Sequence, residues 1–293
     1  MTVEGGHRGG PHLATQGFRF GGLKLELIIT ATGITMSVGG SFAGMQDLDE
    51  RVRDAVKLFW ETREGQAKKQ ASAGKAVDKG SRSSVTGGRH MDGFGNLISK
   101  ILQENGVSAD WINNGKRMEL PGFYRPEKRW DLVLAARGKL LAAMEFKSHV
   151  GPSFGNNFNN RAEEAIGDAT DIRATYRAGA IGQDAPWLGY LILLHKNQES
   201  TDPVEPKEPH FRVMPEFASA SYARRYEILC ERLVSEKLYD ASCLLLSEGT
   251  IGKKVHLEEP NPSSSFSRFV TALLMHVVPR TGHSTIQREL PPI

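Results

Sequence analysis

Residues 129–147, RWDLVLAARGKLLAAMEFK, decide how this chain is read. Two apolar runs, 129–136 and 139–147, flank Arg137-Gly138, the signature of two strands joined by a tight turn. Asp131 lies early in the first run, and Glu145-Phe146-Lys147 closes the second. Side chains two apart on a strand project from one face, so Glu145 and Lys147 share a side. Nearby carboxylates can hold Mg²⁺, and a lysine beside them can orient a water and offset charge at phosphorus. Those are the needs of phosphodiester hydrolysis.

Register tests this reading. With a strict two-residue turn, Asp131 pairs with Met144 and Glu145 faces the wrong side. A three-residue loop or one bulge places Asp131 opposite Glu145 on the same face, and Gly138 permits either. The spacing therefore predicts such an irregularity. An E-x-K triplet arises by chance about once in a chain of this composition. A second one, Glu205-Pro206-Lys207, sits in a proline-rich stretch with no strand beneath it. A surface hairpin with a cross-strand ion pair is the competing reading of the first.

Outward from the hairpin, the elements alternate. Phe94, Leu97, Ile98, Ile101 and Leu102 mark a preceding helix ending near Gly106, and a strand is expected at 116–120. After a loop over 148–157, a helix is expected at 158–178, then a strand at 187–194 apolar on both faces. A helix over 219–237, a strand over 243–246 and a helix over 263–278 complete the body. Upstream, Leu48, Val52, Ala55, Val56 and Phe59 form a helical stripe expected to end near Arg63. No internal repeat and no second domain is evident. The expected class is α/β (α+β), a mixed central sheet flanked by helices, with extra helices at both ends.

Four asparagines, Asn156, Asn157, Asn159 and Asn160, precede Arg161 directly after the E-x-K strand. Capping explains one of them. Asn pairs with adenine edges and Arg with guanine edges, so the stretch is a candidate DNA-reading element. His149 reads as a loop or DNA contact instead of a metal ligand. Asp92 could add a carboxylate to the site; Glu104, near its helix end, reads as solvated. Residues 63–90 carry seven Lys or Arg against Glu64 and Asp78. This segment, with Lys68, Lys69 and Arg89, is either a solvated linker or a basic arm for a phosphate backbone.

The 293 residues have ordinary globular composition, 39% hydrophobic and 24% charged, and the net charge of +3 is too mild to require a polyanionic partner. The only cysteines, Cys230 and Cys243, exclude a disulfide framework and a four-thiolate zinc site. The most apolar early stretch, 27–38, is too short and too broken by Thr and Gly for a membrane span or signal region, so a cytoplasmic location is expected. No P-loop, H-E-x-x-H or G-x-S-x-G motif is present. Residues 1–44 are glycine-rich without a clean period, and read as a flexible arm or, preferred equally, as a small strand pair or sequence upstream of a start at Met45.

Several runs resemble the XhoI-type type II restriction endonucleases: Val85-Thr86-Gly87-Gly88, Met91-Asp92-Gly93-Phe94, Arg129-Trp130-Asp131, Met144-Glu145-Phe146-Lys147-Ser148 and Val150-Gly151-Pro152-Ser153 continuing through Asn160-Arg161. Pro186-Trp187-Leu188-Gly189, Glu208-Pro209-His210-Phe211 and Ala220-Ser221-Tyr222-Ala223 continuing to Glu227 extend the likeness, which runs from about 47 to 278. The resemblance implies the PD-(D/E)xK nuclease fold, although Trp130 stands where that pattern has proline. It implies Mg²⁺-dependent cleavage of CTCGAG in double-stranded DNA by a homodimer, leaving 5′ overhangs, with a methyltransferase protecting the host. Asp131 and Glu145 would be the metal ligands and Lys147 would assist the water. The chain then divides into an extension, 1–44, and one endonuclease domain, 45–293: the basic segment 63–90, a catalytic core at about 91–195, and a C-terminal part over 211–279. A nuclease-like protein that binds without cutting, or a non-specific or repair nuclease, is the alternative.

Overall fold

The computed structural model describes residues 14–20, 23–30, 33–39, 42–72, 89–136, 138–249 and 254–281. Three strands, β1 (Ala14–Phe20), β2 (Leu23–Thr30) and β3 (Gly33–Gly39), pair in an antiparallel meander. Helix α1 (Leu48–Ser72) and helix α2 (Asp92–Glu104) follow. Next come β4 (Ile112–Asn113), β5 (Glu119–Pro121), β6 (Glu127–Arg129), β7 (Leu132–Ala136) and β8 (Lys139–His149). The remainder is α3 (Phe154–Arg177), β9 (Trp187–His195), α4 (Gln198–Thr201), α5 (Tyr222–Ser235), β10 (Ala241–Glu248), β11 (His256–Glu258) and α6 (Phe266–Thr281).

Six strands form the central mixed sheet in the order β11-β10-β9-β8-β7-β4. The pairs β8/β9 and β9/β10 are parallel and the others antiparallel. Alternation within strands separates two cores. Leu191 and Leu193 of β9 face one side with Val56 and Phe59 of α1, Ile98 of α2 and Phe269 and Leu273 of α6. Leu188, Tyr190, Ile192 and Leu194 face the other, against Ala165, Ala169 and Ile172 of α3 and Tyr226, Leu229 and Leu233 of α5. Both faces of β9 are therefore covered, which accounts for its unbroken apolar run. Both cysteines are free and buried. Among the described residues no helix is long and apolar enough to cross a membrane.

Three sequence expectations are corrected. Helix α1 runs past Arg63 to Ser72, because Ala, Lys, Gln and Glu there favour helix and Glu64 pairs with Lys68 one turn on at 3.5 Å. Lys68 and Lys69 therefore stand on a helix, Arg89 opens a single 3₁₀ turn, and residues 73–88 lie outside the described residues. The expected strand 129–136 is two elements: β6 pairs with β5 in a separate hairpin, and only β7 enters the central sheet. Helix α3 begins at Phe154, inside the expected loop. Phe154 and Phe158, one turn apart, pack on Tyr222 and Tyr226 of α5, with Phe154 and Tyr222 stacked at 5.6 Å and Phe158 edge-on to Tyr226 at 5.1 Å. That aromatic anchoring carries the helix further back than the apolar periodicity indicated.

Candidate active site

The hairpin carries the irregularity that the spacing requires. Ala136 pairs with Lys139 across the turn and Leu132 with Met144, but Leu134 pairs with Ala142 while Ala135 pairs with Leu140. Leu141 is the extra residue of a β-bulge, and both Leu141 and Ala142 drop into the same core. Continuing one step from Leu132/Met144 sets Asp131 opposite Glu145, on the face away from α1 and α2. Gly138 turns the chain at a φ of 75°, a conformation glycine adopts without strain.

Glu145 is buried and Asp131 half-buried. Asp131 accepts a hydrogen bond from the Phe146 backbone N–H through Oδ2 at 2.7 Å. Burial and the neighbouring Glu145 charge push the Asp131 carboxyl up to about 7. Glu145, 3% exposed, has each oxygen taken by a lysine: Oε1 lies 2.5 Å from Lys147 Nζ and Oε2 2.9 Å from Lys128 Nζ. Each lysine also reaches a carboxylate on α3, Lys147 reaching Glu164 at 3.4 Å and Lys128 reaching Asp168 at 3.1 Å. Glu164 and Asp168 are four residues apart, hence on one face of the helix. For Lys147, burial works against the charged form, but Glu145, Glu164 and Asp131 outweigh it and raise its pKa. Burial likewise opposes ionisation of Glu164, and the Lys147 and Arg161 charges outweigh it to lower its pKa.

Lys128, Glu164 and Asp168 were missed from sequence. Lys128 follows Glu127 in a charged stretch, and only the separate β5–β6 hairpin swings it back to the site; its side chain also lies over Trp130 at 5.0 Å. Trp130, where the superfamily pattern has proline, is thus a buried platform for that lysine. An acidic pair at helical spacing beside the E-x-K strand was the available signal.

Other candidates fall elsewhere. His149 is corrected: it is 2% exposed at the end of β8, with Nδ1 2.8 Å from the Tyr226 hydroxyl, and so is no surface DNA contact. Glu104 is exposed at the C-terminal end of α2, as its position suggested, and pairs there with Arg51 at 2.8 Å; Asp92 is exposed in that helix's first turn. Asn156, Asn159 and Asn160 are exposed on α3, while Asn157 reaches back weakly to the Pro152 carbonyl at 3.4 Å. None of them caps the helix, whose N-cap Ser153 sits at a φ of 72° without a side-chain cap bond. Arg161 is engaged with Glu164 at 2.6 Å. Glu205 of the second E-x-K lies off the sheet and accepts from the Ser219 hydroxyl at 2.5 Å.

A family model for restriction endonuclease XhoI matches residues 69–258, spanning both halves of this site. The chain belongs to the XhoI restriction endonuclease family. It is 47% identical over 215 residues to the type II restriction enzyme BstVI of Geobacillus stearothermophilus, covering 71% of this chain and 95% of that enzyme. It is 45% identical over 193 residues to the type II restriction enzyme XhoI of Xanthomonas vasicola, covering 65% of this chain and 77% of that one. AbrI of Azospirillum brasilense is 44% identical over 170 residues, 57% of this chain and 76% of AbrI. No solved structure matches. As a member of the XhoI family the chain is a type II restriction endonuclease, and its mixed sheet between two helical layers is a restriction-endonuclease-like fold.

Proposed function

We propose that this endonuclease cuts double-stranded DNA at the palindrome CTCGAG in the presence of Mg²⁺, leaving 5′ overhangs, with Asp131, Glu145 and Lys147 as its catalytic residues. The observation that carries this is the bulge at Leu141, which sets the buried Glu145, the half-buried Asp131 and a lysine on one face of two adjacent strands.

The donor set fits a divalent cation. Burial, and then the like charge of Glu145, raises the Asp131 carboxyl, and a bound cation would relieve that repulsion. Among the described residues no three His, Cys, Asp or Glu side chains form a cage, so Asp131 and Glu145 would hold the ion and water or phosphate oxygens would complete it. That arrangement suits Mg²⁺, which keeps several waters. When bound, the ion supplies an activated water and neutralises charge on the phosphoryl oxygens.

The chain's own groups supply the rest. Lys147, its pKa raised, acts as a donor and not as a proton acceptor. Two of its contacts go to Glu145 and Glu164, and its third N–H remains for the attacking water or a phosphate oxygen. Its charge offsets the negative charge gathering at phosphorus. The exposed Asn156, Asn159 and Asn160 on α3, beside this site, would face base edges with Asn157 and Arg161, and Lys68, Lys69 and Arg89 would meet the phosphate backbone. Two-fold DNA calls for a two-fold protein, so the working form would be a homodimer with one site per strand. A methyltransferase of the same specificity would protect host DNA, and the enzyme would act in the cytoplasm.

The test is incubation of purified protein with Mg²⁺ and a plasmid of known sequence, followed by end mapping. Discrete fragments with 5′ overhangs at CTCGAG support the reading. Smearing would mean a non-specific nuclease, and retardation without fragments a binder; either overturns it.

A further inference from the structure

Lys128 stands outside the E-x-K triplet, yet it holds the triplet's glutamate at hydrogen-bonding distance. Its Nζ lies 2.9 Å from Glu145 Oε2 and 3.1 Å from Asp168 Oδ2, and its side chain is only 13% exposed. Asp168 is anchored independently, through Oδ1, by Arg125 Nη2 at 2.6 Å, and Arg125 in turn holds Asp171 Oδ2 at 2.7 Å. With Lys147 on Oε1, both oxygens of Glu145 carry a cationic neighbour. A carboxylate has about four lone-pair positions, so these contacts do not fill it, but each places positive charge where a second cation would have to come.

We propose that Lys128 is a built-in counter-cation of the metal site, which holds Glu145 until a divalent cation displaces it and which then passes to Asp168. This rests on the reading of Glu145 as a metal ligand. The second acceptor makes the exchange inexpensive, since a lysine driven from Glu145 with no partner would remain half-buried and uncompensated. Asp168, fixed in place by Arg125, already bonds it. The consequence is a free enzyme that binds divalent cations weakly, because the ion must compete with Lys128. Lys128 is thus a positioning residue that acts on the ion through Glu145.

The two ends of the exchange give opposite signs. Removing the competitor (Lys128→Met) should tighten metal binding, whereas removing its alternative acceptor (Asp168→Asn) should leave Lys128 more firmly on Glu145 and weaken binding. The amide oxygen introduced by Asp168→Asn would still accept from Arg125. The measurement is calorimetric titration of Mn²⁺ into the full-length protein without DNA, with circular dichroism to verify folding. Lys128→Met is expected to tighten Mn²⁺ binding by roughly tenfold, and Asp168→Asn to weaken it by roughly threefold. Folded Lys128→Met protein with unchanged or weaker binding overturns the proposal, as does weakening by both variants, the mark of a merely structural role. If Lys128→Met does not fold, Asp168→Asn decides alone: weaker binding supports the exchange, and unchanged binding overturns it. Glu145→Ala is the control. Undiminished Mn²⁺ binding there removes Glu145 from the metal site, whereas lost binding beside an unresponsive Lys128→Met removes only the exchange.

Discussion

Asp131 accepts a hydrogen bond from the backbone N–H of Phe146 at 2.7 Å, the residue between Glu145 and Lys147. This bond pins the carboxylate of β7's approach to the middle of the E-x-K triplet. It exists because Leu141 is bulged out of the β7–β8 ladder. A regular ladder from Ala136/Lys139 with no bulge would set Asp131 opposite Met144, and Glu145 would point into the α1–α2–α6 core.

Gly189 of the Trp-Leu-Gly motif is a packing requirement of the central sheet. A Cβ there would lie 2.5 Å from a Trp187 ring carbon and 2.6 Å from Phe269 Cζ. Gly189→Ala should therefore destabilise the fold by about 1–3 kcal/mol through overpacking, read as a lower urea midpoint with unchanged slope. A midpoint equal to wild type would show that the rings move aside freely.

Asp171 fastens the β5–β6 hairpin to α3. Its Oδ1 accepts from the Phe123 and Tyr124 N–H groups at 2.7 and 2.9 Å, and its Oδ2 from Arg125 Nε at 2.7 Å. Burial opposes its ionisation, but these bonds outweigh it and lower the carboxyl pKa. Asp171→Ala should lower the unfolding free energy by about 1–3 kcal/mol and speed amide exchange at Phe123 and Tyr124. Exchange rates unaltered at those two amides would contradict the role.

The hairpin, the E-x-K face and the order of strands and helices could be read from residues 129–147 and their flanks because strand periodicity and glycine punctuation are local signals. The bulge could be inferred because chemistry demanded one register and spacing supplied another. Lys128 could not, since its approach to Glu145 depends on how the short β5–β6 pair folds over α3. The start of α3 was placed late because Phe154 and Phe158 answer to Tyr222 and Tyr226, which lie far along the chain. The asparagines of α3 carry no structural bond that explains four of them.

Buried histidines should make stability pH-dependent. Burial, and then the charges of Arg63 and Arg161, depress His90 to about 4; burial and Arg161 do the same to His149. A base depressed in the folded state takes up protons in the unfolded chain first. Stability from these groups is thus full above about pH 6.5, the ordinary histidine value, and lost as pH falls toward 4. Asp131, raised to about 7, works in the opposite sense over the same interval, so the histidine contribution is read by comparison: lowering the pH from 7 to 5 should cost wild type more Tm than it costs His149→Gln. An identical pH dependence in the two proteins would contradict the assignment of His149 as buried and neutral.

The central claim is that Glu145 serves cleavage and not the fold or the recognition of DNA. The direct measurement compares wild type with Glu145→Ala on a duplex containing CTCGAG, scoring cutting in Mg²⁺ and specific binding in Ca²⁺. The account predicts cleavage reduced by about a thousandfold or more, with specific binding retained. Cutting at the wild-type rate by Glu145→Ala would contradict it.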